Sequence, residues 1–339
     1  MKIAQGQRAV VWSLFFLICM GLGYPTLNRY DPESVPGLYD SVGYASLVTG
    51  TNQAGDEAHR VLVPYLARPI YWLVNGHLHS WNPVFFALLV VNSFFIATTA
   101  HMLVGLSHRI LENYAIALIS GFLYLTNFAV ANFNLSGYVD SAVNCMMIAV
   151  AWALLTERWW LLPIWGVFGA LAKETFVPLS AVFTLAWWFM CRRSAHRLSR
   201  LAWVGAMVIV GFAVLTFVMS RVTPGATPIT FAVSRWMGTG TAYSYLLSLV
   251  GCVMARESFY VFGWLLPLGI WRLARLPRAW VFASVCAALA ALAMGAYDDA
   301  GGNTVRPVFS ALGPLLSLSA ALLLVEANIP AHDEEKALN

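Results

Sequence analysis

Apolar runs of about 20 residues recur along the whole chain, and they constrain its fold more than any motif does. A helix of that length crosses the hydrocarbon core of a bilayer. The 339 residues are 60% hydrophobic and 11% charged, with 14 tryptophans. The pattern leaves no room for a large soluble domain and predicts an all-α, polytopic integral membrane protein.

About ten transmembrane helices are predicted from these runs. The first two are separated by a polar loop at 25–81, and a second polar stretch occupies 221–258. The predicted spans are about 9–24, 82–106, 114–133, 139–155, 159–172, 176–190, 202–220, 259–273, 279–297 and 307–325. We expect one transmembrane domain over 1–339, ending in a cytoplasmic tail at 326–339.

The distribution of basic residues predicts the orientation. Cytoplasmic loops carry an excess of Lys and Arg, and the densest basic clusters, at 192–200 and 272–278, fall on the same side as both termini. The long loops are therefore expected to be extracytoplasmic. The net charge of +4 reflects this topology, so no nucleic-acid partner is expected. All five cysteines lie in apolar segments without metal-ligand spacing, which indicates core residues.

The first polar loop contains two short helical patterns. Asp40, Tyr44 and Leu47 fall at helical spacing before Gly50, which predicts an amphipathic helix on the membrane surface with one acid on its polar face. Residues 61–74 are apolar but too short and too rich in proline to span, so they predict a second surface or re-entrant helix. The alternative for this stretch is an ordinary solvated loop.

Two later groups of charge also stand at predicted helix ends. Lys173 and Glu174 follow a span too short to reach the far surface, so partial burial and mutual neutralisation are expected. They could form a structural ion pair or contact a substrate. Arg306 stands at the mouth of the last span, beside free helix-start amides, which suits an anion site. The alternative is an interfacial arginine that reaches to lipid headgroups.

Taken together, these motifs resemble those of the GT-C glycosyltransferases. The resemblance covers the transmembrane region and rests on short motifs. They are Tyr39-Asp40-x-x-x-Tyr44-x-x-Leu47-x-x-Gly50, His59-Arg60-Val61-Leu62-Val63-Pro64, Ala172-Lys173-Glu174-Thr175 and Arg306-Pro307. That family consists of polytopic enzymes that take sugars from polyprenyl-phosphate donors on the extracytoplasmic side.

The resemblance implies a fold, a reaction and a location. The fold has two surface helices in the first outer loop, and we expect a small member without the soluble C-terminal domain of larger ones. The reaction moves a hexose or pentose from a polyprenyl-phosphate donor to a lipid, glycan or protein acceptor of the cell envelope. The location is a bacterial inner membrane, among its lipids, with the active site on the periplasmic face.

Roles for individual residues follow from the resemblance and from the chemistry of glycosyl transfer, which needs a carboxylate base and cations for the departing phosphate. Asp40 is expected to be the base. Since the loop has no Asp-x-Asp motif, Asp56 and Glu57 are rivals for that role. The expected donor-phosphate ligands are Arg306, Arg60, Lys173 and Arg256. The expected substrate contacts are Tyr44, His59, Glu174, Asp298 and Asp299.

No metal or other cofactor is expected. Asp40 with Asp298 or Asp299 would suit a hard divalent cation, but no ligand spacing requires one. Two other functions stay open. A lipid-linked-sugar flippase or other transporter would be expected to have repeated halves and charge near the midplane, whereas here charge gathers at helix ends on one face. A catalytically inert membrane scaffold could be distinguished only by an activity assay.

Overall fold

The computed structural model describes residues 5–29, 39–51, 57–191, 197–222, 227–230, 242–297 and 301–326. Within these ranges every regular element is a helix, as the apolar runs predict. The α-helices are α1 (Gln5–Arg29), α2 (Tyr39–Thr49), α3 (Leu62–Val74), α4 (Pro83–Leu111), α5 (Tyr114–Leu125), α6 (Asp140–Leu155), α7 (Leu162–Ala172), α8 (Phe176–Met190), α9 (Arg197–Val222), α10 (Ala242–Met254), α11 (Arg256–Phe262), α12 (Leu265–Ile270), α13 (Arg278–Tyr297) and α14 (Val305–Glu326).

Five of the described helices are long and apolar enough to cross a membrane. They are α1, α4, α9, α13 and α14, and α10 with α11 would make a sixth as a pair bent by 46°. Two of them, α4 and α14, are mostly buried and form the centre of the bundle, whereas α1 and α9 are mostly exposed. Exposed apolar side chains such as Leu17, Ile209 and Phe217 cover the outer helices. A surface of this kind is stable in lipid, which supports an integral membrane protein.

The expectation of ten spans is not confirmed. Helices α5 to α8 follow the predicted apolar runs, but each has only 11 to 16 residues, fewer than the roughly 20 that cross a bilayer unaided. The predicted single helix at 259–273 is wrong, because the chain breaks at Gly263 and Trp264 between α11 and α12. A Cβ at Gly263 would lie 2.5 Å from the Phe259 carbonyl oxygen, so this tight turn requires glycine.

The first polar loop does contain the two predicted helices. They are α2 and α3, and α2 ends where Gly50 takes a left-handed conformation (φ +84°) that glycine adopts without strain. Tyr44 and Leu47 on α2 are buried. Helix α2 packs on α3, and α3 packs on the central helix α4. This stacking holds α2 and α3 against one end of the bundle.

Polar side chains fix the start of α6 against α4. The side-chain amide of Asn92 on α4 donates to the carbonyl of Tyr138 at 2.9 Å, and Ser141 donates to the Asn92 side-chain oxygen. All these groups are buried, so each hydrogen bond replaces one that water cannot make there. The first residue of α6, Asp140, is thereby held at the end of the bundle where α2 and α3 lie.

Candidate functional site

A buried ion pair joins the first loop to the turn between α7 and α8. Arg60 donates from Nε to Oε2 of Glu174 at 2.9 Å and from Nη2 to Oε1 at 2.7 Å. His59 Nε2 also lies 2.9 Å from Oε2. The remaining guanidinium nitrogen of Arg60, Nη1, donates to the hydroxyl of Tyr44 on α2 at 2.7 Å. A two-pronged arginine–carboxylate pair is among the strongest polar contacts in proteins, so it locks α2, α3 and the α7–α8 turn together.

A second set of charges lies beside this pair. Lys173 Nζ donates to Oδ1 of Asp140 at 2.8 Å, and Nη1 of Arg306 is 3.5 Å from Oδ2 of the same carboxylate. Asp140 begins α6, where the helix dipole favours an acid. Arg306 is the second residue of α14, where the dipole disfavours a cation. The carboxylate of Asp140 compensates for that cost.

Aromatic rings and an amide hold the Arg306 guanidinium in place. Its central carbon lies 4.0 Å from the ring centre of Tyr138 and 5.3 Å from that of Phe133. Nη2 donates to the side-chain oxygen of Asn303 at 3.0 Å. Cation–π contacts gain strength where water is excluded, and only 9% of Arg306 is exposed. The guanidinium is therefore held in one orientation at the mouth of α14.

We call these residues the polar cluster. Among the side chains that the structure describes, it holds three cations and two carboxylates. Arg60 pairs with Glu174, and Lys173 and Arg306 both lie beside Asp140. Cations held in a buried site favour the approach of an anion. The polar cluster comprises Tyr44, His59, Arg60, Asp140, Lys173, Glu174 and Arg306.

The electrostatics of Glu174 follow from its surroundings. Burial by itself would raise the pKa of this carboxyl, but the charge of Arg60 and the hydrogen bonds from His59 and Arg60 act in the opposite direction. The result is a pKa well below the ordinary 4.5 of a glutamate. Glu174 is therefore ionised at physiological pH, which suits a structural counter-ion more than a proton carrier.

The expected pairing of Lys173 with Glu174 is wrong. Each residue pairs with a group from another element, Lys173 with Asp140 and Glu174 with Arg60. The backbone of Lys173 is extended (φ −164°, ψ 142°), and successive side chains on extended backbone point to opposite sides. The expected burial is confirmed, since Glu174 is 9% exposed.

Six of the residues predicted to form a site therefore lie together, although 262 positions separate the first from the last in the sequence. Arg256 is not among them. It is exposed and pairs with its neighbour Glu257 at 3.2 Å, and in the described part of the chain it makes no hydrogen bond or ion pair with the cluster. The six that meet are Tyr44, His59, Arg60, Lys173, Glu174 and Arg306.

The structure describes the remaining predicted acids only in part. Asp40 is the second residue of α2, but its side chain lies outside what the structure describes. Asp56, Asp298 and Asp299 also lie outside the described residues. Glu57 is half-buried, and its carbonyl accepts the backbone N–H of Arg60 at 2.9 Å.

Asp140 is the residue that sequence reasoning missed. It has no role in the site predicted from the sequence, although it is 4% exposed and binds two cations. A signal was present, because an acid at the start of an apolar helix is by default a candidate for function in a membrane protein. Which cations would reach it depends on the fold.

Among the residues that the structure describes, no group of three or more His, Cys, Asp or Glu side chains could hold a metal ion. Comparison with protein-family models, curated proteins and solved structures finds no match. The resemblance to the GT-C glycosyltransferases thus stays a prediction from the motifs.

Proposed function

We propose that this protein is a GT-C-like membrane glycosyltransferase that moves a sugar from a polyprenyl-phosphate donor to an acceptor at the extracytoplasmic face. The observation that carries this proposal is the polar cluster, which brings Lys173 and Arg306 together beside Asp140 at one end of the bundle. In this proposal the departing phosphate is the anion that Lys173 and Arg306 bind together.

The proposal divides the work between the two halves of the cluster. Arg60 and Glu174 hold the first loop on the bundle and are fully engaged with each other. Lys173 and Arg306 bind the donor phosphate. Asp40 acts as the base that deprotonates the acceptor hydroxyl. It precedes Tyr44 by four residues in α2, so both backbone positions lie on one face of the helix, and Tyr44 touches the cluster through Arg60.

The base is tested with the isosteric change Asp40→Asn in purified enzyme reconstituted in lipid nanodiscs. Donors carrying hexoses or pentoses on a polyprenyl phosphate are screened, and transfer is followed by mass spectrometry. We expect the variant to bind donor normally and to lose turnover by about 10² or more, since it keeps volume and loses the base. Asp56→Asn and Glu57→Gln are the matched controls. If a control variant is inactive and the Asp40→Asn enzyme is active, the base is Asp56 or Glu57 and not Asp40.

The phosphate site is tested with Arg306→Gln. The remaining Lys173–Asp140 pair is neutral, so this variant is expected to fold. Losing one charge-assisted contact of about 1.5–3 kcal/mol should weaken donor binding by roughly 10- to 150-fold. Arg256→Gln removes an exposed arginine and should leave binding unchanged. The reverse result, weakened binding only in Arg256→Gln, would exclude the cluster as the phosphate site.

The same preparation distinguishes the transporter. In liposomes, a flippase would move the lipid-linked sugar across the bilayer without forming a glycosylated acceptor. Donor flipping without transfer by the wild-type protein would overturn the proposed enzyme. Neither activity, together with no donor binding, would favour a scaffold.

A further inference from the structure

A cavity in the described part of the chain lies at the other end of the bundle from the polar cluster. The cluster lies near the start of α4 and α6, whereas the cavity lies near their ends, between residues of α1, α4, α5 and α6. Its volume is about 820 Å³. Basic residues predict this end to be cytoplasmic. The proposed glycosyl transfer does not account for this space.

The cavity wall is basic. Arg8 and Arg109 line it, and within the described residues neither forms an ion pair or hydrogen bond. His101 and His108 also line it, each with a buried Nδ1 that has no hydrogen-bond partner among the described groups. Glu112 is the one carboxylate on the described wall, and it is exposed to solvent. Two cations therefore face one acid, with two imidazoles able to donate hydrogen bonds.

Apolar groups complete the wall. Met102, Val104 and the indole of Trp152 line the cavity beside the basic groups. A wall with a cationic part and an apolar part fits a molecule that has both an anionic group and a hydrocarbon portion. Basic pockets between helices at the cytoplasmic side of membrane proteins bind phosphate-bearing headgroups in this way.

We propose that this cavity binds a phosphate group through Arg8 and Arg109, with His101 and His108 as further hydrogen-bond partners. The phosphate comes either from an anionic phospholipid or from a soluble phosphate. The site is separate from the polar cluster, so it stands whether or not the protein transfers sugars.

The role of the two positive charges is tested with the double variant Arg8→Gln/Arg109→Gln. Both arginines are exposed, so folding should tolerate the change. Delipidated protein in neutral detergent is titrated with phosphatidylglycerol, phosphatidylcholine and inorganic phosphate, and bound species are counted by native mass spectrometry. The double variant should bind its phosphate ligand about tenfold more weakly or worse. The control is Arg278→Gln, which removes an exposed arginine on the same predicted side but outside the cavity, and it should bind like the wild type.

The two phosphate sources give different results. A lipid ligand would make phosphatidylglycerol bind in preference to phosphatidylcholine, without displacement by inorganic phosphate. A soluble ligand would make inorganic phosphate bind alone. Either pattern supports the site if it disappears in the double variant. Equal binding of each ligand by the wild type and the double variant, or binding of none of them, overturns it.

A second variant tests the space and leaves the charges intact. Gly105 lines the cavity on α4, and a Cβ there meets nothing within 4 Å. Gly105→Phe should place a ring inside the cavity and weaken phosphate binding about tenfold, with folding preserved because glycine is a poor helix former. The control is Gly205→Phe on α9, where a Cβ also meets nothing. If Gly105→Phe binds as tightly as Gly205→Phe, the cavity is not the binding site.

Discussion

At the scale of single residues, the Arg60–Glu174 pair is expected to carry much of the stability of this end of the molecule. Both side chains are at least nine-tenths buried, so removing one charge leaves the other without compensation. Glu174→Gln should lower the free energy of unfolding by about 3–5 kcal/mol, measured by denaturant unfolding in detergent micelles. Glu157→Gln is the control, because its partner is also an arginine but its side chain is 59% exposed. It should cost about 1 kcal/mol or less.

The depressed pKa of Glu174 predicts a dependence of stability on pH. Since its folded-state pKa lies below the ordinary 4.5, the stabilisation is complete above that pH and is lost as the pH falls from 4.5 towards the folded-state pKa. Unfolding curves of the wild type between pH 7 and pH 3 should show this loss. Glu174→Gln should lack this component. Parallel curves for the two proteins over that range would contradict the assignment.

Asp140 gives a further test at the same scale. Asp140→Asn would remove the charge of the carboxylate that Lys173 and Arg306 share, so we expect it to unfold more readily by about 3–5 kcal/mol. Thermal unfolding in detergent measures the change. Added inorganic phosphate should restore part of the stability if the two cations form an anion site. No destabilisation would show that Asp140 does not hold the two cations in place.

At the scale of elements, α7 and α9 approach so closely that only small residues fit between them. A Cβ at Gly166 would lie 2.7 Å from the Met207 carbonyl oxygen, and one at Gly211 would lie 3.3 Å from the Gly166 carbonyl oxygen. Small residues permit such close approach of membrane helices. Lys173 directly follows α7. The contact between α7 and α9 therefore also determines the position of Lys173 in the polar cluster.

Gly166→Leu should therefore push α7 from α9. We expect a loss of about 1–3 kcal/mol in stability from overpacking, measured by thermal unfolding in detergent. Gly205→Leu on α9 is the matched control, because a Cβ there meets nothing within 4 Å. Equal melting temperatures for the two variants would mean that the helices separate without cost.

At the scale of the whole molecule, the two ends of the bundle are expected to face opposite sides of the membrane. Thr51, beside α2, and Glu112, at the end of α4, are both exposed. In a background with the half-buried Cys191 and Cys286 replaced by serine, Thr51→Cys should react with a membrane-impermeant maleimide in intact cells. Glu112→Cys should react only after permeabilisation. The opposite pattern would place the polar cluster on the cytoplasmic side and remove the basis of the proposed reaction.

The sequence by itself determined the class of the protein and most of its helices. Apolar runs of spanning length that recur through a whole chain indicate a membrane protein, and the two short patterns in the first loop became α2 and α3. The local rules that determine a helix act over a few neighbouring residues, so the sequence alone is enough to predict where helices form. The sequence did not predict the helix break at Gly263, because the apolar run continues through it.

Only the tertiary structure decided which charges meet. Lys173 and Glu174 are neighbours in sequence, yet their partners, Asp140 and Arg60, come from other elements. Ion pairing in a buried site depends on which helix ends converge, and convergence is set by packing across the whole bundle. The sequence also could not show that α4 and α14 are central, because all the spans are similarly apolar and burial against protein or lipid satisfies them equally.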